Sequence, residues 1–245
     1  MAGKAQIQAL AAGCTEQMTS KTTRLNLSGP PANAMERARA YASLWFTDHG
    51  LFRYFYNRPF QISDEMWRTN QPSPGQLRRI KARGIKTVIN LRGPSSIWAY
   101  RLEREACEKL GLTLVDFRVK SRDVPAKKTL HGAAELFQSI EYPAIMHCKS
   151  GADRAGIMAA LYLIMRRGHS VEEALDQLSA RFGHFKQAKT GLLDHFFESY
   201  LRDTEDKAMP FMTWVDEVYD PVAVKGEFMA SFWPSLLVDR VLRRE

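Results

Sequence analysis

Residues 144–167 read AIMHCKSGADRAGIMAALYLIMRR, and this stretch decides the fold of the chain. Its first three residues predict a short buried strand, and the apolar run 157–167 predicts a helix that ends at Gly168. Glycines at 151 and 156 interrupt the pattern between the two elements. A loop that joins a buried strand directly to a helix is typical of α/β proteins with a parallel sheet.

The hundred residues upstream alternate strand and helix signals in the same way. Strands are predicted at 66–72, 87–91, 112–119 and 144–146, and helices at 33–46, 74–83, 97–110, 126–140, 157–167, from Ser170, and at about 192–202. The alternation predicts an α/β fold with a central, mostly parallel sheet of about four to five strands flanked by helices. In such sheets the active site lies at the carboxyl ends of the strands.

The composition is that of a globular protein with a surplus of positive charge. The 245 residues include 35 Lys+Arg and 27 Asp+Glu, a net charge of +8, and 45% are hydrophobic, which excludes global disorder. The charge indicates anionic partners such as phosphate groups, nucleic acid or an acidic membrane face. Three cysteines, Cys14, Cys107 and Cys148, cannot all pair and show no CxxC spacing, which argues against a disulfide framework or a structural zinc site.

Cys148 and Arg154 share one short loop, and this spacing indicates chemistry. The five residues between them can curl so that their backbone N–H groups converge into an anion-binding nest at a helix start. Arg154, in the first helical turn, can return its guanidinium group to grip two phosphate oxygens. Such positive surroundings favour a thiolate at Cys148, which is a nucleophile toward a bound phosphate. Taken alone, Cys148 would be interpreted as a core cysteine and Arg154 as a surface arginine.

The residues HCKSGADR at 147–154 resemble the HCxxGxxR signature loop of the cysteine-dependent protein tyrosine phosphatase superfamily. From residue 67 to about 202, the chain looks like the compact dual-specificity branch of that superfamily. Arg68, Gln71 and Pro72, followed by GIKTVINLR, match the opening of many small members.

This resemblance implies a phosphocysteine mechanism that uses neither a metal ion nor another cofactor. Cys148 is implied to attack phosphorus, Arg154 to hold the transition-state oxygens, and water to hydrolyse the intermediate. His147 is implied to orient the loop by hydrogen bonding and not to act as a base. The substrate is expected to bind along the loop, at His147, Lys149, Ser150, Gly151 and Ala152.

A leaving alkoxide needs a proton, and two aspartates are candidates for the acid. Asp123 lies on a predicted loop before the helix that precedes the signature, where the related enzymes carry their acid. Asp153 stands directly before Arg154, an arrangement similar to the loop of the myotubularin lipid phosphatases. An acid in a first helical turn equally complements the helix dipole. Asp116 falls inside a predicted strand, where a pairing or an exposed-face role is favoured.

Two further features of the loop bear on rate and substrate. Ala155 stands where most related phosphatases have Ser or Thr, which predicts a slower second step or replacement of the hydroxyl by Ser150. A lysine at position 149, beside the nucleophile, resembles the signature loops of phospholipid phosphatases. The alternative interpretation of Lys149 is an ordinary solvated surface lysine. A basic rim suited to more than one phosphate would also include Lys120, Arg122, Lys127 and Lys128.

Taken together, the motifs predict a metal-independent phosphatase acting on phosphomonoesters. Its substrate is either a phosphorylated protein or a phospholipid, such as a phosphoinositide or a lipid A type headgroup. A catalytically weak or dead phosphate-binding module and a rhodanese-like sulfurtransferase are the alternatives, and no nucleic-acid partner is expected, because only the net charge favours one. We expect a cytoplasmic location, and aromatic segments at 45–60 and 211–233 leave peripheral membrane contact open.

Four segments are predicted along the chain. Residues 1–33 form a flexible N-terminal arm, 34–66 an aromatic-rich helical lead-in, 67–202 the catalytic domain, and 203–245 a C-terminal extension packed on the domain or on a partner. No run of about 18 apolar residues occurs, which predicts that the chain does not span a membrane. The sequence LAAGC at 10–14 faintly resembles a lipoprotein cleavage site, but its apolar run is too short for export to be favoured.

Overall fold

The computed structural model describes residues 34–42 and 59–242, with side chains up to residue 231. The arm at 1–33, with Cys14, and the aromatic cluster apart from Phe60 lie outside the described residues, so those predictions stay untested. Within the described ranges, no helix is long and apolar enough to cross a membrane.

Helices and strands alternate along the described chain. The strands are β1 Phe60–Gln61, β2 Met66–Asn70, β3 Thr87–Asn90, β4 Thr113–Asp116 and β5 Ala144–Cys148. The helices are α1 Ala34–Ala42, α2 Pro74–Ala82, α3 Trp98–Leu110, α4 Lys127–Ser139, α5 Asp153–Arg167, α6 Val171–Ala174, α7 Leu192–Asp203, α8 Phe211–Glu217 and α9 Pro221–Leu242. Three single 3-10 turns follow α6, at Leu175–Gln177, Ala180–Phe182 and Lys189–Gly191.

The five strands form one sheet in the order β1-β2-β5-β3-β4. Of the described strands, only the two-residue edge strand β1 runs antiparallel to its neighbour. Central strand β5 pairs with β2 and β3, which places Asn70 beside Cys148 and Asn90 beside His147. Every residue of β5 is buried, as expected for a parallel strand covered on both faces. The predicted α/β fold is confirmed, and the signature loop leaves the carboxyl end of β5.

Two compact units make up the structure. The first, which extends to Val119 and includes Glu135–Ala155, contains the whole sheet. There α2 and α3 pack against β3 and β5 through a core of Leu77, Ile80, Ile85, Val88, Ala106, Cys107, Leu112 and Ile145. Cys107 is therefore a helix packing residue, and burial raises the pKa of its thiol.

The second unit comprises Lys120–Ala134 and the chain from Gly156 onward, and it is helical. Aromatic rings form its core: Phe196 on α7 lies 5.8 Å from Trp214 and 5.1 Å from Tyr219, measured between ring centroids. Trp214 is fully buried, and its Nε1 donates a hydrogen bond of 3.0 Å to Asp203. Large apolar residues of the C-terminal segment thus pack within this unit.

Local sequence signals account for several helix ends. At the start of α2, Ser73 and Gln76 form a capping box, with the Ser73 backbone N–H donating to the Gln76 side chain at 2.7 Å. Ser170 and Glu173 form the same arrangement at the start of α6. Gly111 ends α3 in the left-handed conformation at φ 61, which a residue without Cβ adopts at low cost.

Several predicted boundaries were wrong: β2 ends at Asn70 and not at 72, and β5 extends to Cys148 and not only to 146. Strand β4 is shorter than 112–119, because beyond Asp116 the chain makes only separate backbone bonds, such as Phe117 N–H to Asn90 O at 3.0 Å. Helix α5 starts at Asp153, so Arg154 lies in the first helical turn as predicted, although the apolar run begins only at 157. The helix from Ser170 is a single turn followed by 3-10 turns.

Candidate active site

The signature loop curls around the sulfur of Cys148. The backbone N–H of Gly151 donates to Sγ at 3.2 Å, and Cys148 is 2% exposed. Gly151 has φ +81, and a Cβ there would lie 2.9 Å from the backbone N of Asn70 and 3.0 Å from the carbonyl carbon of Thr69. Glycine is therefore required twice, for the left-handed backbone and for the close approach of β2.

Strand β2 also contacts the loop through hydrogen bonds to its carbonyl groups. Nη2 of Arg68 donates to the carbonyl oxygen of Gly151 at 2.7 Å and to that of Ala152 at 3.0 Å. Directly after the end of β2, the backbone N–H of Gln71 approaches the carbonyl oxygen of Lys149 at 3.4 Å. The loop is thus held from its outer side by the strand.

Arg154 lies in the first turn of α5 and is half-buried. It makes no hydrogen bond or ion pair with another side chain in 34–42 or 59–231. Because the helix N-terminus carries unpaired N–H groups and a positive partial charge, the start of α5 and Arg154 together suit an anion.

Behind the loop, a buried polar chain connects His147 to helix α3. Nε2 of His147 lies 2.5 Å from Oε1 of Glu103, and both side chains are fully buried. The two atoms meet as a close polar contact and not in the alignment of a hydrogen bond. Oε2 of Glu103 accepts a bond of 3.0 Å from Gln71 Nε2, and Arg92 donates to Gln71 in turn. This chain ties His147 to three other segments.

Sequence reasoning missed Glu103, although a signal was present. In α3 its neighbours at helical spacing are Tyr100 and Cys107, and both are buried. A glutamate on the buried face of an amphipathic helix needs a polar partner, which the pattern alone could have indicated.

A second polar group lies at the carboxyl ends of β3 and β4. Asp116 accepts hydrogen bonds from the Tyr100 hydroxyl at 2.5 Å and from Nδ2 of Asn90 at 2.7 Å. Burial raises the pKa of Asp116 above the ordinary value, and these two hydrogen bonds offset part of the rise. Asp116 therefore has the pairing role that its predicted position in a strand favoured.

With this geometry in view, a comparison with protein families is decisive. The model of the family described as "DSP-PTPase phosphatase fused to NAD+ Kinase" matches residues 59–192, which is more than half of the chain. The chain belongs to this DSP-PTPase phosphatase family. The resemblance to the dual-specificity branch is confirmed, and a rhodanese-like sulfurtransferase does not fit this family.

Individual relatives of this DSP-PTPase are distant. The dual specificity protein phosphatase TpbA of Pseudomonas aeruginosa is 26% identical over 155 residues, which cover 62% of this chain and 65% of TpbA. The match thus spans slightly less than two thirds of that relative. The crystal structure of P. aeruginosa TpbA has a TM-score of 0.46 at 18% identity, covering 60% of this chain and 85% of that one. Tk-PTP in its active form has a TM-score of 0.45 at 19% identity, covering 59% and 98%.

Asp123, the first candidate for the acid of the DSP-PTPase, lies in the second unit between two lysines. Nζ of Lys225 is 2.9 Å from its carboxylate and Nζ of Lys120 is 3.0 Å away. Partial burial alone would raise the pKa of Asp123, but the hydrogen bonds from Lys225 and Lys120 outweigh it and bring the pKa below its ordinary value. As it stands, Asp123 is an ion-paired carboxylate.

The predicted basic rim is correspondingly reduced. Lys120 is paired with Asp123, and Lys127 donates to the carbonyl oxygen of Asp216 at 2.9 Å. The ion pair with Asp123 offsets the charge of Lys120, whereas Lys127 keeps its charge beside a neutral carbonyl oxygen.

The remaining predicted residues of the DSP-PTPase site lie on the loop itself. Asp153 is the first residue of α5 and is partly exposed. Ser150 is exposed, and its Oγ accepts a long contact of 3.4 Å from the Ala152 N–H. Ala155 is fully buried, so its methyl group packs into the protein. Among the described residues, no group of three or more His, Cys, Asp or Glu side chains could hold a metal ion.

Proposed function

We propose that this DSP-PTPase hydrolyses phosphomonoesters through a phosphocysteine intermediate on Cys148. The observation that supports the proposal is the loop itself: one N–H of the loop donates to Sγ at 3.2 Å, while Arg154 of the same loop has no described protein partner. A backbone curled around the sulfur and an available guanidinium group would hold a phosphate directly above a nucleophile.

The reaction would proceed in two steps. The thiolate of Cys148 attacks phosphorus, an S–P bond forms, and the ester P–O bond breaks. The departing oxygen takes a proton from an acid, and Arg154 stabilises the charge on the equatorial oxygens. Water then attacks phosphorus, the S–P bond breaks, and inorganic phosphate and the thiolate are released.

Asp123 and Asp153 both remain candidates for the acid. Asp153 lies on the signature loop, whereas Asp123 would have to be released from its lysines before it could take up a proton at neutral pH. Replacing each aspartate by asparagine and comparing esters of good and poor leaving groups will identify the acid. Loss of the acid slows poor leaving groups selectively.

For the substrate class, we propose a phosphorylated protein. The support is the relative named a dual specificity protein phosphatase. A phosphate carried by a lipid is the second candidate, favoured by Lys149 next to the nucleophile. A panel of phosphotyrosine and phosphothreonine peptides against phosphoinositide vesicles, compared by kcat/KM, separates the two.

The mechanism is tested with para-nitrophenyl phosphate in the presence of a chelator. We expect full activity for the native chain and a loss of about 10⁴-fold or more in Cys148→Ser, because the nucleophile is removed. Cys107→Ala, which changes the other described cysteine, is the matched control and should keep most of the activity. Activity that survives Cys148→Ser, or that requires added metal, contradicts the mechanism.

A further inference from the structure

We propose that strand β2 is the template that shapes the phosphate cup, and that Arg68 is its positioning residue. This inference rests on the proposed function, since it assigns how the anion-binding loop of that same site is built. Arg68 has no contact with substrate in this role; it acts through the backbone of the loop.

The contacts that carry the inference all involve loop carbonyl groups. Arg68 is 2% exposed, and one of its nitrogens bridges the carbonyl oxygens of Gly151 and Ala152, at 2.7 and 3.0 Å. Gln71 N–H adds the carbonyl oxygen of Lys149 at 3.4 Å. Three carbonyl groups of the loop are therefore directed toward β2.

Because the peptide group is planar, the orientation of these carbonyl groups also sets the orientation of the neighbouring N–H groups. In a trans peptide, the C=O of one residue and the N–H of the next point in opposite directions. Directing the carbonyl groups of residues 149, 151 and 152 toward β2 turns the N–H groups of 150, 152 and 153 away from it. The N–H of Gly151 already donates to the sulfur of Cys148. An oxyanion above that sulfur would meet the N–H groups that β2 has oriented.

Because the side chain of Arg68 is charged and buried, packing alone does not account for an arginine at this position. Moving a guanidinium group out of water is unfavourable unless its hydrogen bonds are well satisfied. At Arg68 one nitrogen of the planar guanidinium group bridges two adjacent carbonyl oxygens. Its positive charge, placed behind the loop, also favours an anion in front of it. The hydrogen bonds act on the backbone of the loop, and the charge acts on the oxyanion.

The direct test measures the affinity of inorganic tungstate, an oxyanion, by isothermal titration calorimetry on the full chain. The variants are Arg68→Met and Arg68→Lys. Thr87→Val is the matched control: it removes a buried hydrogen bond of 2.6 Å to the Glu141 carbonyl oxygen, at the other end of the same sheet. Thermal unfolding of each variant reports the general loss of stability.

We expect tungstate affinity to fall about 10- to 100-fold in Arg68→Met, because misplaced donors lose most of their effect. Thr87→Val should lose stability but keep its affinity within about twofold of the native chain. If Arg68→Met does not fold, Arg68→Lys takes its place: lysine keeps the charge but not the fork, so its affinity should still fall more than that of Thr87→Val.

Two outcomes separate this inference from the proposed function. Tungstate binding by the native chain, with equal affinity in the folded Arg68 variants, overturns the positioning role and leaves the phosphatase mechanism standing. A native chain that binds no tungstate overturns the oxyanion cup, and the inference falls with it.

Discussion

At the scale of single residues, the loop depends on positions where one atom more would not fit. Gly151 combines a left-handed backbone at φ +81 with an approach to β2 that leaves no room for a Cβ. The nearest neighbours of such a Cβ are backbone atoms of Thr69 and Asn70, which cannot move aside as a flexible side chain could.

Gly151→Ala is therefore expected to open the loop. Alanine has a left-handed cost of about 1 to 2 kcal/mol, to which the clash with β2 adds. A displacement of about 1 Å at the loop should lower kcat/KM by about 10²-fold. Steady-state kinetics and urea unfolding check both parts.

Gly84→Ala provides the control, since Gly84 has φ +85 but nothing within 4 Å of its Cβ position. It should show the backbone cost alone, with activity unchanged. Equal losses of activity in the two variants would mean that the approach of β2 has no role.

The pair of lysines around Asp123 permits a second test at this scale. Lys225→Met removes the nearer ammonium group, so the pKa of Asp123 should rise toward its ordinary value. An acid must be protonated to act, and activity falls as pH rises through its pKa. If Asp123 is the acid, the alkaline limb of the kcat profile for poor leaving groups moves to higher pH.

Lys86→Met is a suitable comparison, because it breaks an exposed ion pair with Glu141 elsewhere on the surface. Its profile should stay that of the native chain. An unchanged alkaline limb in Lys225→Met would assign the acid to Asp153 or to another group.

At the scale of elements, helix α3 supplies polar side chains to the carboxyl edge of the sheet. Tyr100 and Glu103, one turn apart, contact Asp116 and His147, whose strands do not adjoin in the sheet. On another part of its surface, Glu105 accepts hydrogen bonds of 2.8 and 3.1 Å from Arg37 of α1. The helix thus links the lead-in segment to the site.

Tyr100→Phe should destabilise the chain by about 1.5 to 3 kcal/mol at neutral pH, because a charged acceptor loses its donor. The deficit has a defined pH dependence. The native pKa of Asp116 is already raised, and loss of the Tyr100 hydrogen bond raises it further. For a raised native pKa, stability is greatest below the unfolded pKa and is lost as pH rises through the native one. The deficit should therefore grow from acid to neutral pH in urea unfolding.

Tyr142→Phe serves as its counterpart, since the Tyr142 hydroxyl donates to a neutral acceptor, the carbonyl oxygen of Phe137, at 2.8 Å. Its deficit should be nearly independent of pH. A constant deficit in Tyr100→Phe would show that Asp116 does not ionise against this hydroxyl.

At the scale of the whole molecule, the C-terminal segment is part of the second unit's core and also contacts the loop that carries Asp123. Tyr219 donates its hydroxyl to the carbonyl oxygen of Pro125 at 2.8 Å, and Asp216 contacts His131 at 2.7 Å. Together with Lys225, these residues fix the segment around Asp123 from beyond residue 203. The predicted domain boundary between residues 202 and 203 stays a proposal. We expect residues on both sides of it to contribute to the free energy of unfolding.

Trp214→Ala is expected to lower the free energy of unfolding by about 3 to 5 kcal/mol, as large core truncations do. The ring is fully buried among Phe196, Phe211 and Tyr219. Urea unfolding measures the loss. Val222→Ala, at an 80% exposed position of α9, should change the same quantity by less than about 0.5 kcal/mol. Similar values for both variants would contradict a packed C-terminal segment.

How much the sequence predicted depends on the range of the interactions involved. The order of strands and helices, the helix starts after residue 73 and at Ser170, and the place of Cys148 at a strand end follow from neighbours within a few residues. Periodicity and spacing record such local constraints directly, so these predictions agree with the structure. The end of β4 was less accurate, because the apolar pattern continues beyond Asp116, where the strand ends.

The sequence by itself determined the α/β order of the elements and the place of Cys148 and Arg154 between a strand and a helix, and it predicts the nucleophile and the anion-binding loop, because each is encoded within one contiguous stretch. Only the tertiary structure decided which residues contact and position the loop. Arg68 reaches Gly151 across 83 residues, and Gln71 reaches Glu103 across 32. Such partners are chosen by packing and by the need of buried polar groups for hydrogen bonds, and spacing along the chain does not encode either.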